Sequence, residues 1–76
     1  MSYVKVLFPE SRDVYIDDEW QGSNRAASGR PRAFYVNAAQ HTFRLGGAAD
    51  VDPDKQVVDV PERPILDPFP VEFKKC

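Results

Sequence analysis

The apolar positions of this chain fall in short runs that alternate with polar ones and are cut by turn residues at close intervals. Tyr3-Val4-Lys5-Val6-Leu7-Phe8 is β-branched and aromatic and ends at Pro9, which predicts a first strand. Pro9 to Asp13 reads as a turn. Val14-Tyr15-Ile16-Asp17 predicts a second strand, with Val14 and Ile16 on the inner face and Tyr15 outside. Asp17-Asp18-Glu19 stops it, because short carboxylates bond their own backbone and tolerate unusual dihedrals.

From Gln21 to Pro31 the residues are Gly, Ser, Asn, Ala and Arg with no large apolar side chain to pack, and a surface loop is expected. Ala33-Phe34-Tyr35-Val36 resumes strand chemistry, Asn37-Ala38-Ala39 turns, and His41-Thr42-Phe43-Arg44-Leu45 alternates before Gly46-Gly47. Phe43 and Leu45 are expected inside, Thr42 and Arg44 outside, with the two strands paired as a hairpin. After a polar, turn-rich Asp50 to Asp54, Lys55 to Val60 supplies a fifth strand. Val71 to Lys74, starting beyond Pro70, supplies a sixth at a sheet edge, where a missing amide donor does little harm. No segment carries helical periodicity over three turns. The pattern predicts an all-β fold, a small antiparallel β-sandwich of about six short strands.

Length bounds this picture, since 76 residues make one domain at most, spanning 1–76. Five Phe, three Tyr and one Trp give the small core its bulk, and seven Pro and four Gly exclude a long-helix bundle. No apolar stretch is long enough for a membrane span, and no basic start followed by an apolar run marks a signal peptide. A cytoplasmic protein or an excised domain is the resulting expectation. A single cysteine, Cys76, forms no internal disulfide and is expected to be exposed and dispensable.

The formal net charge is only -2, but its distribution is uneven. Residues 20–49 hold Arg25, Arg30, Arg32 and Arg44 and no acid, while the flanking thirds are each acidic. A cationic surface on an acidic body attracts anionic partners over about a Debye length. The competing reading is that these arginines pair with Asp17, Asp18 or Asp50.

Pro9-Glu10-Ser11-Arg12 followed by Asp13-Val14-Tyr15-Ile16-Asp17-Asp18 resembles the opening of a PEGA domain, whose Pro-Glu-Gly-Ala turn precedes a Val-x-Ile-Asp-Gly strand end. Gly22 sits where such domains often carry a second turn glycine. Ala39 to Leu45 is similar to the family's Gly-x-His-x-Val-x-Leu strand, and Gln56 to Val60 to its later valine-rich strand. The likeness runs over residues 3–74. Ser11, Arg12, Asp18 and Ala39 depart from the family's small residues, and the loop before Phe34 is longer and more basic. The resemblance implies a bacterial β-sandwich unit of an envelope or multidomain protein, with a binding or spacer role, no catalysis and no cofactor.

Candidate chemistry is sparse. One His and one terminal Cys make no nucleophile and base pair, so His41 is read as a structural, hydrogen-bonded histidine, and no catalytic residue is assigned. Zinc would need three or four ligands that the sequence does not cluster. Asp50-x-Asp52-x-Asp54 has the first spacing of a calcium loop, but Lys55 and Pro61 stand where a glycine and a glutamate are needed, so it is read as a solvated acidic loop. Trp20 is read as a lid on the core; exposed, it would make a sugar-stacking site with Tyr3, Tyr15 and Tyr35, which gives a carbohydrate-binding alternative. Arg25, Arg30 and Arg32, with the neighbouring Phe34, are the sharpest feature: each guanidinium offers five donors to a carboxylate or phosphate. Without interleaved aromatics nucleic acid is not favoured, and the expected partner is a protein with an acidic surface.

Overall fold

A strand whose alternate residues are all buried belongs at the centre of a layer, and β1 (Ser2–Leu7) meets that condition with Ser2, Val4 and Val6. In the computed structural model, which describes residues 2–47 and 50–75, β1 pairs antiparallel with β4 (Ala33–Val36) and parallel with β8 (Phe69–Glu72). The second layer runs β3 (Glu19–Ser23), β2 (Asp13–Ile16), β5 (Gln40–Leu45), β7 (Lys55–Asp59), all antiparallel. A short ribbon of β6 (Val51–Asp52) and β9 (Lys74–Lys75) completes an all-β sandwich with no α-helix among the described residues. Cys76 lies outside the described residues.

One core holds the layers together. Val4, Val6, Phe34 and Val71 from the first sheet meet Val14, Ile16, Phe43 and Leu45 from the second, and Phe8, Val51, Val60 and Phe73 close its ends. The expected inner positions of β2 and β5 are the observed ones. Ser2 is the polar exception. Its hydroxyl donates to the Pro61 carbonyl and accepts the Arg63 amide at 2.9 Å, which lays the proline-rich return segment along β1.

Several elements differ from the sequence pattern. The turn at Asp17-Asp18 has φ of 53° and 64°, the double positive φ of a type I′ hairpin, and it sends the chain into β3 where a loop was expected to begin. Polar β3 was hidden because an edge strand needs no apolar face. A bulge between Val14 and Tyr15 sets Trp20 opposite the outward-facing Tyr15, so Trp20 is 65% exposed rather than a lid on the core.

The expected β4–β5 hairpin does not form. β4 joins β1 while β5 joins β2 and β7, so residues 37–39 carry the chain from one sheet to the other. Turn chemistry is the same for a hairpin and an arch; Phe34 and Phe43 decide it by entering one core from opposite layers. The stretch expected to be a polar, turn-rich connection, Asp50 to Asp54, contains buried Val51 in β6. The last strand breaks at buried Phe73 and resumes as β9, although β8 is the edge strand that Pro70 requires.

Phe43 is fully buried at the junction of the layers. Phe43→Ala is expected to cost about 3–5 kcal/mol, comparable with the whole stability of so short a chain. Urea denaturation monitored by circular dichroism measures the loss.

Candidate functional site

The arginine-bearing segment is an ordered excursion between β3 and β4. Asn24 N–H donates to Arg12 O at 2.9 Å, Arg32 N–H to Asn24 O at 3.0 Å, and Ala26 N–H to Arg30 O at 2.8 Å. Gly29, at φ 86°, turns the tip and donates to Ala26 O at 2.9 Å. The base is pinned by the Asn24 side chain, 1% exposed: Oδ1 accepts Arg12 N–H at 2.8 Å and Nδ2 donates to Glu10 O at 3.2 Å. The loop is thereby tied to the β1–β2 turn.

The three arginines do not converge. Arg25 reaches back and donates through Nη2 to Phe8 O at 2.8 Å. Arg32 donates to Ser23 O at 3.2 Å and lies over the Phe34 ring at 5.2 Å. Its guanidinium passes Gly22 so closely that a Cβ there would stand 2.7 Å from Nη1. Arg30 is exposed near the tip. Phe34, expected among the contact residues, is 5% exposed and belongs to the core, so its ring supports Arg32 from beneath and offers little surface to a partner.

None of these three guanidinium groups meets a carboxylate among the described residues, and several acids are engaged elsewhere. Arg12 holds Asp50 through two bonds of 2.9 and 2.8 Å and Glu10 at 2.6 Å. Lys75 also bonds Glu10. Asp18 pairs with Arg44 at 3.2 Å, and Asp17 with His41. Hydrogen bonds from Lys75 and Arg12 hold Glu10 below its ordinary value, and the Arg12 bond does the same to Asp50. Of the four arginines in the acid-free window, then, Arg44 alone is neutralised among the described residues.

Beside the loop lies an open cleft of about 510 Å³. Val6, Leu7, Phe8, Pro9, Pro31 and Phe73 give it apolar walls, and Arg25, Lys74 and Lys75 line it with cations against the carboxylate of Glu72. The sequence alone does not mark Lys74 and Lys75 as site residues, because nothing in it places the last strand next to the loop. Their only signal was a pair of lysines ending a strand.

Trp20 stands at the other end of β3 from Arg25. It neighbours Tyr15 on the outer face of the four-stranded sheet, but Arg44 covers the Tyr15 ring at 4.0 Å. Tyr3 and Tyr35 meet at a tilt of 47°, centroids 4.8 Å apart, in the three-stranded sheet. The aromatics therefore form two separate pairs.

His41 is a clasp between the β2–β3 turn and the 37–39 arch. Nδ1 meets Asp17 Oδ2 at 2.6 Å and Nε2 meets Asn37 O at 2.9 Å; two acceptors require two N–H donors, which suits the imidazolium. The Asp17 bond raises the His41 pKa, the Asn37 carbonyl adds to it, and partial burial opposes both. Asp17 is held low by the Thr42 amide first and His41 second. Among the described residues no group of three His, Cys, Asp or Glu is arranged to hold a metal ion, and no helix is long and apolar enough to cross a membrane. Comparison with protein-family models, curated proteins and solved structures finds no match for this chain.

Asn24→Ala is expected to lower stability by about 1–3 kcal/mol, since it leaves the Arg12 amide and Glu10 carbonyl unmet. Hydrogen exchange should rise across 24–32 before it rises in β1.

The clasp has a pH window. With its folded pKa above the ordinary 6.5, His41 contributes fully below that value and loses its contribution as pH rises through the raised one. Asp17, held below 3.8, contributes above that value and loses its share as pH falls through the lowered one. Stabilisation by the pair is therefore greatest between about pH 4 and 6.5. An NMR titration of the His41 ring should give a midpoint above 6.5 that Asp17→Asn moves downward.

Proposed function

We propose that this chain is a non-catalytic, PEGA-like interaction module that binds an acidic segment of a partner protein along the arginine loop and its cleft. The observation that carries this reading is the unneutralised state of Arg25, Arg30 and Arg32 on a loop whose base is pinned by a buried amide. Arginines kept for stability alone would be expected to sit against the acids available to them. The cleft adds apolar area beside the cations, which suits a peptide carrying both carboxylates and a large apolar side chain.

Carbohydrate binding has one observation in its favour, the exposure of Trp20. Against it, Tyr15 is covered by Arg44, and Tyr3 and Tyr35 belong to the other sheet. A single free ring makes a poor platform for a sugar chain.

A labelled peptide alternating Glu and Leu serves as the probe, with NMR chemical shifts as the readout. Shifts are expected in residues 24–32 and at Lys74 and Lys75, fading as salt rises. Arg30→Glu, at an exposed position, should weaken binding several-fold more than Lys55→Glu on the distant strand. Trp20→Ala should leave it unchanged. Shifts centred on Trp20, or binding indifferent to salt and to Arg30, would refute the proposal.

A further inference from the structure

β7 is an edge strand with its outer side open. Its backbone pairs with β5 alone, and no other described strand forms a ladder with it. Val60 N–H donates to Ala39 O, so by strand alternation the even residues of this segment bond toward β5. The N–H and C=O groups of Lys55, Val57 and Asp59 therefore point away from β5, off the edge of the sheet. The side chains of these same three residues are exposed, Val57 by 59%.

Of the other edges of the two main sheets, β3 and β8 carry protection that β7 lacks, and β4 carries no charged residue. β3 has its bulge, and β8 has Pro70 together with a bond from Gln56 Nε2 to Glu72 O at 2.6 Å. β7 has only a lysine at one end and an aspartate at the other. Neither forms an ion pair among the described residues.

From this arrangement we infer that β7 is the contact strand of a homodimer, pairing antiparallel with β7 of a second copy about a two-fold axis at Val57. In that register Val57 faces Val57, and Lys55 of each copy faces Asp59 of the other. The backbone groups of all three point off the edge, so each facing pair exchanges two hydrogen bonds. Two opposite-charge pairs flank an apolar one, a self-complementary edge. The four-stranded sheet becomes a continuous eight-stranded one.

The register is fixed from both sides. A slip of one residue opposes outward groups with groups already bonded to β5. A slip of two brings Pro53 or Pro61 opposite a bonding position, where an amide donor is missing, and breaks the charge match. Lys55 and Asp59 thus favour one register, and their pairing is lost in the slipped ones. None of the cleft's lining residues belongs to β7, so both copies keep their clefts.

Sedimentation velocity at low ionic strength, with reductant to keep the Cys76 thiol from linking copies, tests this from about 10 μM to about 1 mM, the range suited to a small edge interface. The expected result is a concentration-dependent monomer to dimer transition. Lys55→Asp and Asp59→Lys should each weaken it about tenfold, since each creates two like-charge pairs. Mixing the two variants in equal amounts should restore association. In the mixed dimer one copy carries an acid at both positions and the other a base at both, so each facing pair is again of opposite charge. Far-UV circular dichroism establishes that both variants fold. A chain that stays monomeric throughout, a dimer unaffected by either substitution, or a mixture that fails to recover would each overturn the inference.

Discussion

A primary amide removed from water costs free energy unless its donors and acceptors are met, and Asn24 meets its own with backbone groups of the β1–β2 turn. Its main-chain N–H and C=O bond to Arg12 and Arg32, so one residue joins the turn to both ends of the arginine loop. Arg12, whose amide Asn24 accepts, extends the connection: its guanidinium gathers Asp50, Glu10 and the Gly47 carbonyl and lies over Phe8 at 5.2 Å. Loops from three parts of the chain are fixed relative to one another at one end of the sandwich. The cleft is the space left between that assembly and the last strand.

The division of charge follows from the same geometry. Arg12 is placed by a packed turn and takes the acids within its reach; Arg44 and His41, fixed in β5, take Asp18 and Asp17. Each pairing joins a strand or turn to a loop carboxylate. Exposed pairs of this kind are individually worth little. Together they leave Arg25, Arg30 and Arg32 without an ion pair among the described residues, as they do Lys5, Lys55 and Lys74.

Much of the architecture was legible in the residues. Two-residue alternation gave the inner faces of β2 and β5, paired aspartates marked a tight turn, and Pro70 marked an edge. Partnering was not legible, because turn residues at 37–39 serve a hairpin and a sheet-to-sheet arch equally well. Nor was β3, whose polar composition has no inward face to advertise it. Arg25, Arg30 and Arg32 stood out by charge, but Asn24 looked like one more loop residue, since only tertiary structure shows that its amide is buried. Trp20 was misjudged because size argues for burial, whereas a bulge, invisible in composition, turns it outward.

A module that binds through a loop faces an entropic penalty for ordering that loop unless the fold has already done so. Here the backbone of 24–32 carries its own hydrogen bonds and a buried anchor, so a partner need order only the exposed side chains. Unpaired guanidinium groups on such a frame lose no existing ion pair when a carboxylate arrives, and their hydration is weaker than that of an ammonium. These conditions favour recognition by the loop over recognition by Lys75, which must leave Glu10 before it can serve a ligand. Arg30 meets them most fully, since it is exposed and tied to no carboxylate, whereas Arg25 and Arg32 spend donors on Phe8 and Ser23 carbonyls. For the acidic partner proposed above, binding energy is thus expected to concentrate at the tip, with the cleft supplying apolar area and the two inner arginines supplying shape.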